Sequence, residues 1–142
     1  MYQRILVPVA LNDASSWAKS LPTAVRLCET FGASLHLLCV VPDFGMPIVS
    51  QYFPPDHQAK LRAEFEARLA DLQAKEVPTS VNCGHTVLEG KVYDQILAAA
   101  DGQNIDLIVM GSHHPELSDY LLGPNAARVV RHADCSVMVV RD

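Results

Sequence analysis

The sequence predicts an open α/β fold: a parallel sheet with helices on both faces. Two observations carry the prediction. Short runs rich in Val, Ile and Leu recur along the chain, and strands that read as continuous apolar runs are those buried on both faces. A helical pattern separates each run from the next, and parallel neighbours need such crossovers. The resulting order is β-α-β-α-β-α-β-α-β, which a chain of 142 residues accommodates as one domain, residues 1–142.

Taken in order, RILVPVA (4–10) is the first buried strand. Residues 14–31 follow as a helix with Trp17, Leu21, Ala24 and Cys28 on one face. Pro22 has no amide to donate, so a kink or a late start at Ser20 is expected, and Gly32 stops the helix. SLHLLCVV (34–41) is the second strand, ended by Pro42. The Pro-rich stretch from Pro42 to Pro55 reads as a surface loop, a candidate lid over a ligand. Residues 55–75 form the longest helix, with a core stripe of Leu61, Phe65, Leu69 and Leu72 and a solvated side of Arg62, Glu64, Glu66 and Arg68. TSVNCGHTVLEG (79–90) is a weaker, alternating third strand. KVYDQILAAADGQ (91–103) is a third helix carrying Val92, Ile96, Leu97 and Ala100, and IDLIVMG (105–111) a fourth strand. Residues 123–132 are a fourth helix with Ala126, Val129, Val130 and Ala133 at core spacing, and SVMVV (136–140) is the fifth strand.

Composition excludes several function classes. The net charge is −5 and no basic run exceeds a pair, whereas a nucleic-acid backbone needs clustered Lys and Arg. No apolar run approaches the ~20 residues of a membrane span. The N-terminal MYQRILVPVA lacks the length and cleavage site of a secretion signal, so a cytoplasmic protein is expected. Cys28, Cys39, Cys83 and Cys135 are scattered beside apolar stretches with no C-x-x-C pair, and are expected to act as small buried hydrophobes.

In open α/β sheets ligands bind beyond the carboxyl ends of the strands. The stretches that matter are therefore PVALND (8–13), VVPD (40–43), LEGK (88–91) and MGSHH (110–114). None holds a nucleophile–base set, a G-x-S-x-G elbow, a P-loop or a G-x-G-x-x-G turn, so a non-enzyme without catalytic residues is expected, with weak hydrolysis through His113 or His114 as general base the lesser alternative. His113 and His114 are the one adjacent histidine pair, and with no third ligand implied no metal site is expected. Gly123-Pro124 is a good helix start whatever it binds, because Pro suits the first helical position. The amides of Asn125 and Ala126 behind it also suit a phosphate, and Gly111 permits close backbone approach to a ligand.

RILVPV at the start, LHLLCVVP, LEGKVYDQIL and above all LIVMGSHHPELSDYLLGPNAARVVRHADCSVMVVR resemble the universal stress protein family over essentially the whole chain. The resemblance implies a five-stranded parallel sheet in the Rossmann-like order 3-2-1-4-5, and a homodimer formed through the last strand, Ser136 to Val140. It also implies a stress-response role, with an unnamed protein partner, in which ATP, with or without Mg²⁺, binds in the crevice between strands one and four. Members that bind ATP carry G-2x-G-9x-G-(S/T). Here Gly111 and Gly123 match, His114 replaces the middle glycine with eight residues before Gly123, and Pro124 replaces the hydroxyl residue. Ala10 stands where such members carry an Asp, with Asn12 and Asp13 as substitute ribose partners. Residue by residue, the resemblance puts Pro8, Val9 and Ala10 at the ribose, Val40 at the adenine, and Met110 and Gly111 against sugar and base. It puts His114, Gly123, Asn125 and Ala126 around the phosphates. The departures at Ala10, His114 and Pro124 define the alternative: a family member that acts through its surfaces without nucleotide.

Overall fold

The computed structural model describes residues 1–41, 57–112 and 123–141. Five strands, β1 (Arg4–Pro8), β2 (Ser34–Val41), β3 (Cys83–Glu89), β4 (Leu107–Gly111) and β5 (Ser136–Val140), form one sheet in the order β3-β2-β1-β4-β5. Every neighbouring pair is parallel. The four α-helices among the described residues are α1 (Ser20–Phe31), α2 (His57–Glu76), α3 (Val92–Gly102) and α4 (Pro124–His132).

Alternation along the central strands sorts the core into two halves. Ile5, Val7, Leu37, Cys39, Leu107 and Val109 pack with Leu21, Ala24 and Cys28 of α1 and Leu69 and Leu72 of α2. Leu6, Leu38, Ile108 and Met110 pack on the other face with Ile96, Ala99 and Ala100 of α3 and Ala126 and Val129 of α4. Nearly all the side chains of β1, β2 and β4 in these clusters are buried, each stabilising the fold by roughly 1.5–3 kcal/mol for a Val, Leu or Ile. Such strands read as unbroken apolar runs because neither face meets water.

The first helix starts late, at Ser20, as Pro22 foretold. Pro22 is its third residue, where a missing amide breaks no intrahelical bond. Residues 14–16 form a separate 3₁₀ turn, so Trp17 lies between turn and helix, half-buried, and is not on the helix face the sequence suggested. Gly32 ends α1 in the left-handed region (φ 70°) with its amide on the Cys28 carbonyl. The third strand is shorter than expected and begins at Cys83, because Val81 is first drawn into a turn by the Pro78 carbonyl.

Two side-chain expectations are corrected. Val130 was expected in the core of α4 but is 46% exposed. The helix packs on α3 and β5 through the face that carries Ala126 and Val129, and Val130 lies outside that face. Arg68 does not lie on a solvated side. It is half-buried, its guanidinium 5.5 Å from the Phe65 ring centroid, and it reaches the segment after β1. Arg62 stays exposed and pairs with Glu66 at 3.6 Å, yet also donates to the Val87 carbonyl. Long cationic stems cover apolar surface while their heads find polar partners. Of the cysteines, Cys28 and Cys39 are buried as expected and Cys83 and Cys135 are half-buried; all four are free thiols.

Candidate functional site

The strand order reverses between β1 and β4: the chain runs outward from β1 to β3, then crosses back to β4. The crevice at such a switch, beyond the carboxyl ends, is where open α/β sheets bind ligands. Pro8 through Asp13 leave β1 there, Gly111 ends β4 there, and α4 begins there at Pro124.

The segment after β1 is closed on itself. Ser16 Oγ accepts from the Ala10 amide at 3.0 Å and donates toward the carbonyls of Asp13, at 2.7 Å, and Ala10, at 3.2 Å. The Ala10 carbonyl also takes the Asp13 amide. Asp13 Oδ1 accepts from the amide and hydroxyl of Ser15, capping the 3₁₀ turn. Arg68 donates to the Leu11 carbonyl at 3.1 Å and to Asn12 Oδ1 at 3.2 Å, tying α2 to the segment. Burial pushes the Cys39 thiol up, offset in part by the Leu11 amide and the Arg68 guanidinium beside it. Ala10 itself is exposed and has only a methyl side chain.

The start of α4 is built the other way. Gly123 is its N-cap and has no side chain with which to accept from the first turn. Pro124 removes one of the four orphan amides, and the Asn125 and Ala126 amides follow it at the positive end of the helix dipole. The Ala126 side chain is buried in the α3/α4 core and Asn125 is half-buried, so Ala126 offers only backbone to a ligand.

The other site residues that the sequence singled out fall into place as follows. Val9 is buried in the α1/α2 core and its amide bonds to the Leu38 carbonyl. Met110 is buried in the α3/α4 core, on which Val40 also packs. The Val41 carbonyl bonds outward to Gly90; alternation therefore turns the Val40 amide and carbonyl the opposite way, past the end of β1 and toward the crevice. His114 lies outside the described residues, as do His113 and the stretch from Pro42 to Pro55. Gly111 is where the structure adds an unforeseen reason. A Cβ there would sit 3.1 Å from the Ser16 carbonyl oxygen and 3.5 Å from that of Ser15. A side chain there would be tight against the 3₁₀ turn, which packs directly on β4.

Sequence reasoning missed Ser16 and Arg68. The run NDASS (12–16) carries a turn signal, Asp followed by Ser at capping distance, that could have flagged the first. Nothing in the periodicity of α2 marks Arg68. Among the described residues no group of three His, Cys, Asp or Glu side chains is placed to hold a metal. Burial holds Cys28 and Cys83 at about 11, so both stay protonated thiols at neutral pH. Two further cavities lie at the opposite, amino end of the sheet. One of about 410 Å³ is lined by Arg4, His36, Gly84 and Gln103, and one of about 440 Å³ by Cys28, Gly32, Ser80 and Asn82.

A parallel sheet in the order 3-2-1-4-5 with this crevice defines a Rossmann-like protein of the type that binds ligands at a switch point. Residues 1–141 match the universal stress protein family, and the chain belongs to it. It is 32% identical over 145 residues to universal stress protein G of Shigella flexneri, an alignment spanning 99% of this chain and 100% of that one. The solved structure of universal stress protein UspA from Lactobacillus plantarum is 28% identical, with a TM-score of 0.71, over 99% of this chain and 98% of that one. A universal stress protein solved in complex with cAMP shares the fold, with 22% identity and a TM-score of 0.67 over 99% of this chain and 97% of that one.

Proposed function

We infer that this protein is a cytoplasmic, homodimeric stress-response protein that binds an adenine nucleotide at the carboxyl ends of β1 and β4 and acts by binding. The observation that carries the reading is the start of α4. A glycine N-cap at the switch point leaves the Asn125 and Ala126 amides to a ligand, at the end of the helix that favours an anion. Val40 supports it with backbone groups turned toward the same crevice, and the neighbour in complex with cAMP supports an adenine base. ATP, alone or with Mg²⁺, is the ligand this reading favours, with the His114 imidazole, in its protonated form, taking the place of the donor lost at Pro124.

The edge strand supports the dimer. Val137 to Val140 are half-buried, and β5 has a neighbour on one side only. A second copy covering it removes an exposed edge. Free cysteines suit a reducing compartment, and among the described residues no helix is long and apolar enough to cross a membrane.

Asn125→Glu tests the nucleotide reading. A carboxylate in the first turn favours the helix dipole, so the fold keeps its stability, while ATP binding is lost to charge repulsion. Unchanged ATP affinity in this variant contradicts the reading. Sedimentation of the Met138→Lys variant tests the dimer: the reading expects monomers, and a persisting dimer contradicts pairing through β5. One observation favours the second reading, a surface-acting protein without nucleotide: the segment Ala10 to Asp13 is already bonded to its own fold. Absence of ATP binding with an intact dimer would select it.

A further inference from the structure

The sheet ends in β3 on one side and β5 on the other, and the two edges treat their outward carbonyls differently. On β3, the Asn82 carbonyl takes the Leu35 amide of β2, and the Gly90 amide bonds the Val41 carbonyl. The even-numbered residues between them therefore face β2, and Cys83, His85, Val87 and Glu89 turn their amides and carbonyls outward. Two side chains of α2 reach that edge. Gln73 Nε2 donates to the Cys83 carbonyl at 3.0 Å, and Arg62 donates to the Val87 carbonyl at 3.0 Å. Both side chains are braced in turn. Gln73 Oε1 accepts from His85 Nδ1 at 2.7 Å, and Arg62 Nε lies 3.6 Å from Glu66 Oε1. A strand laid along β3 must bond the carbonyls of successive outward residues. Each such pair, 83 with 85, 85 with 87 or 87 with 89, contains one that α2 already holds. On β5 the Ser112 amide bonds the Val140 carbonyl, so Val137 and Val139 turn outward. Among the described residues no side chain takes either of those carbonyls.

We propose that Arg62 and Gln73 close the β3 edge to other strands, those of a second copy of this chain included. An uncapped strand edge is a template for a further strand. Joined to the dimer reading above, closure of β3 ends assembly at a pair. Pairing of β5 with β5 is two-fold and complete, whereas β5 of one copy on β3 of the next would be head-to-tail and would repeat without closing.

Sedimentation of the full chain over a range of protein concentrations tests the proposal. Arg62→Ala frees the run from His85 to Glu89, and Arg62→Ala with Gln73→Ala frees the whole edge. Alanine suits a helix interior and position 62 is exposed, so folding of the single variant is not at stake. The parent is expected to hold one mass. Arg62→Ala is expected to shift to heavier species as concentration rises, and the double variant to do so at lower concentration. Arg62→Lys keeps a cationic donor on a long stem and is expected to sediment as the parent does. Parent-like mass in both alanine variants overturns the proposal, as does equal growth in Arg62→Lys. The same substitutions in the Met138→Lys chain separate the proposal from the dimer reading. With β5 disabled, uncapping β3 is expected to restore association between copies, and a chain that stays monomeric overturns closure by these two residues. A parent that is itself monomeric overturns the dimer reading alone, since the uncapped variants must still associate where the parent does not.

Discussion

The segments that follow β1 and β4 stand at the same end of the sheet and are built in opposite ways. After β1, Ser16, Arg68 and Ser15 hold the Ala10 amide and carbonyl, the Leu11 carbonyl, Asn12 Oδ1 and Asp13 Oδ1. After β4, a glycine and a proline open a helix whose first-turn amides no N-cap side chain satisfies. The comparison teaches that a switch point supplies only a location. One wall uses much of its hydrogen-bonding capacity to hold its own shape, and the other begins with amides that no N-cap side chain takes.

The comparison can be broken at four places. The largest effect is expected at Gly111. Gly111→Val drives its side chain against the Ser15 and Ser16 carbonyls and should cost about 1–3 kcal/mol through overpacking, seen as a lower midpoint in urea. Loss of nucleotide binding in that variant would then report a damaged wall and not a lost ligand contact; an unchanged midpoint would contradict the packing described for the 3₁₀ turn. Ser16→Ala comes next. It strands the Ala10 amide and should cost about 1 kcal/mol, at the low end because the group is near water. A neutral result would show that the β1 wall is not held closed by Ser16.

On the α4 side, Pro124→Ser restores an amide and adds a hydroxyl at the first helical position. ATP affinity is expected to improve by about 1 kcal/mol, roughly fivefold, in a direct titration; weaker binding would place the phosphates elsewhere. The smallest effect lies at the far end of the sheet. His36, with Nε2 2.7 Å from Thr86 Oγ1, is held below its ordinary 6.5 by burial and, to a lesser extent, by His85. Its folded-state value is the lower one, so the unfolded chain binds more protons in the window below 6.5, and stability falls as pH drops through that window. The midpoint in urea should decline there in the parent protein and decline less in His36→Gln. Equal declines would assign the pH dependence to other groups.

Much of the fold was legible in the sequence because burial on both faces writes itself as unbroken apolar runs. IDLIVMG and SLHLLCVV could hardly be anything but interior strands. Pro22 and Gly32 marked the ends of α1 for steric reasons that do not depend on tertiary context. The strand order was different in kind: periodicity carries no information about lateral placement, and it came from the family resemblance. Val130 misled because its spacing is that of a core residue, while the helix buries only the narrower face of Ala126 and Val129. The state of the β1 wall was hidden for a related reason. That the Leu11 carbonyl and Asn12 Oδ1 are taken is decided by Arg68, 56 residues from Asn12, and no local pattern on α2 announces that its guanidinium turns toward them. At Gly111 the sequence could show that close approach was allowed, but not that the Ser16 carbonyl occupies the space beside it.

The nucleotide reading proposed above rests on the open first turn of α4. The most direct measurement is a calorimetric titration of the full chain with ATP, with and without Mg²⁺, after any nucleotide carried through purification has been removed. Micromolar binding at one site per chain, abolished in Asn125→Glu, is the predicted result. Absence of heat up to millimolar ATP would contradict it and leave a family member that works through its surfaces.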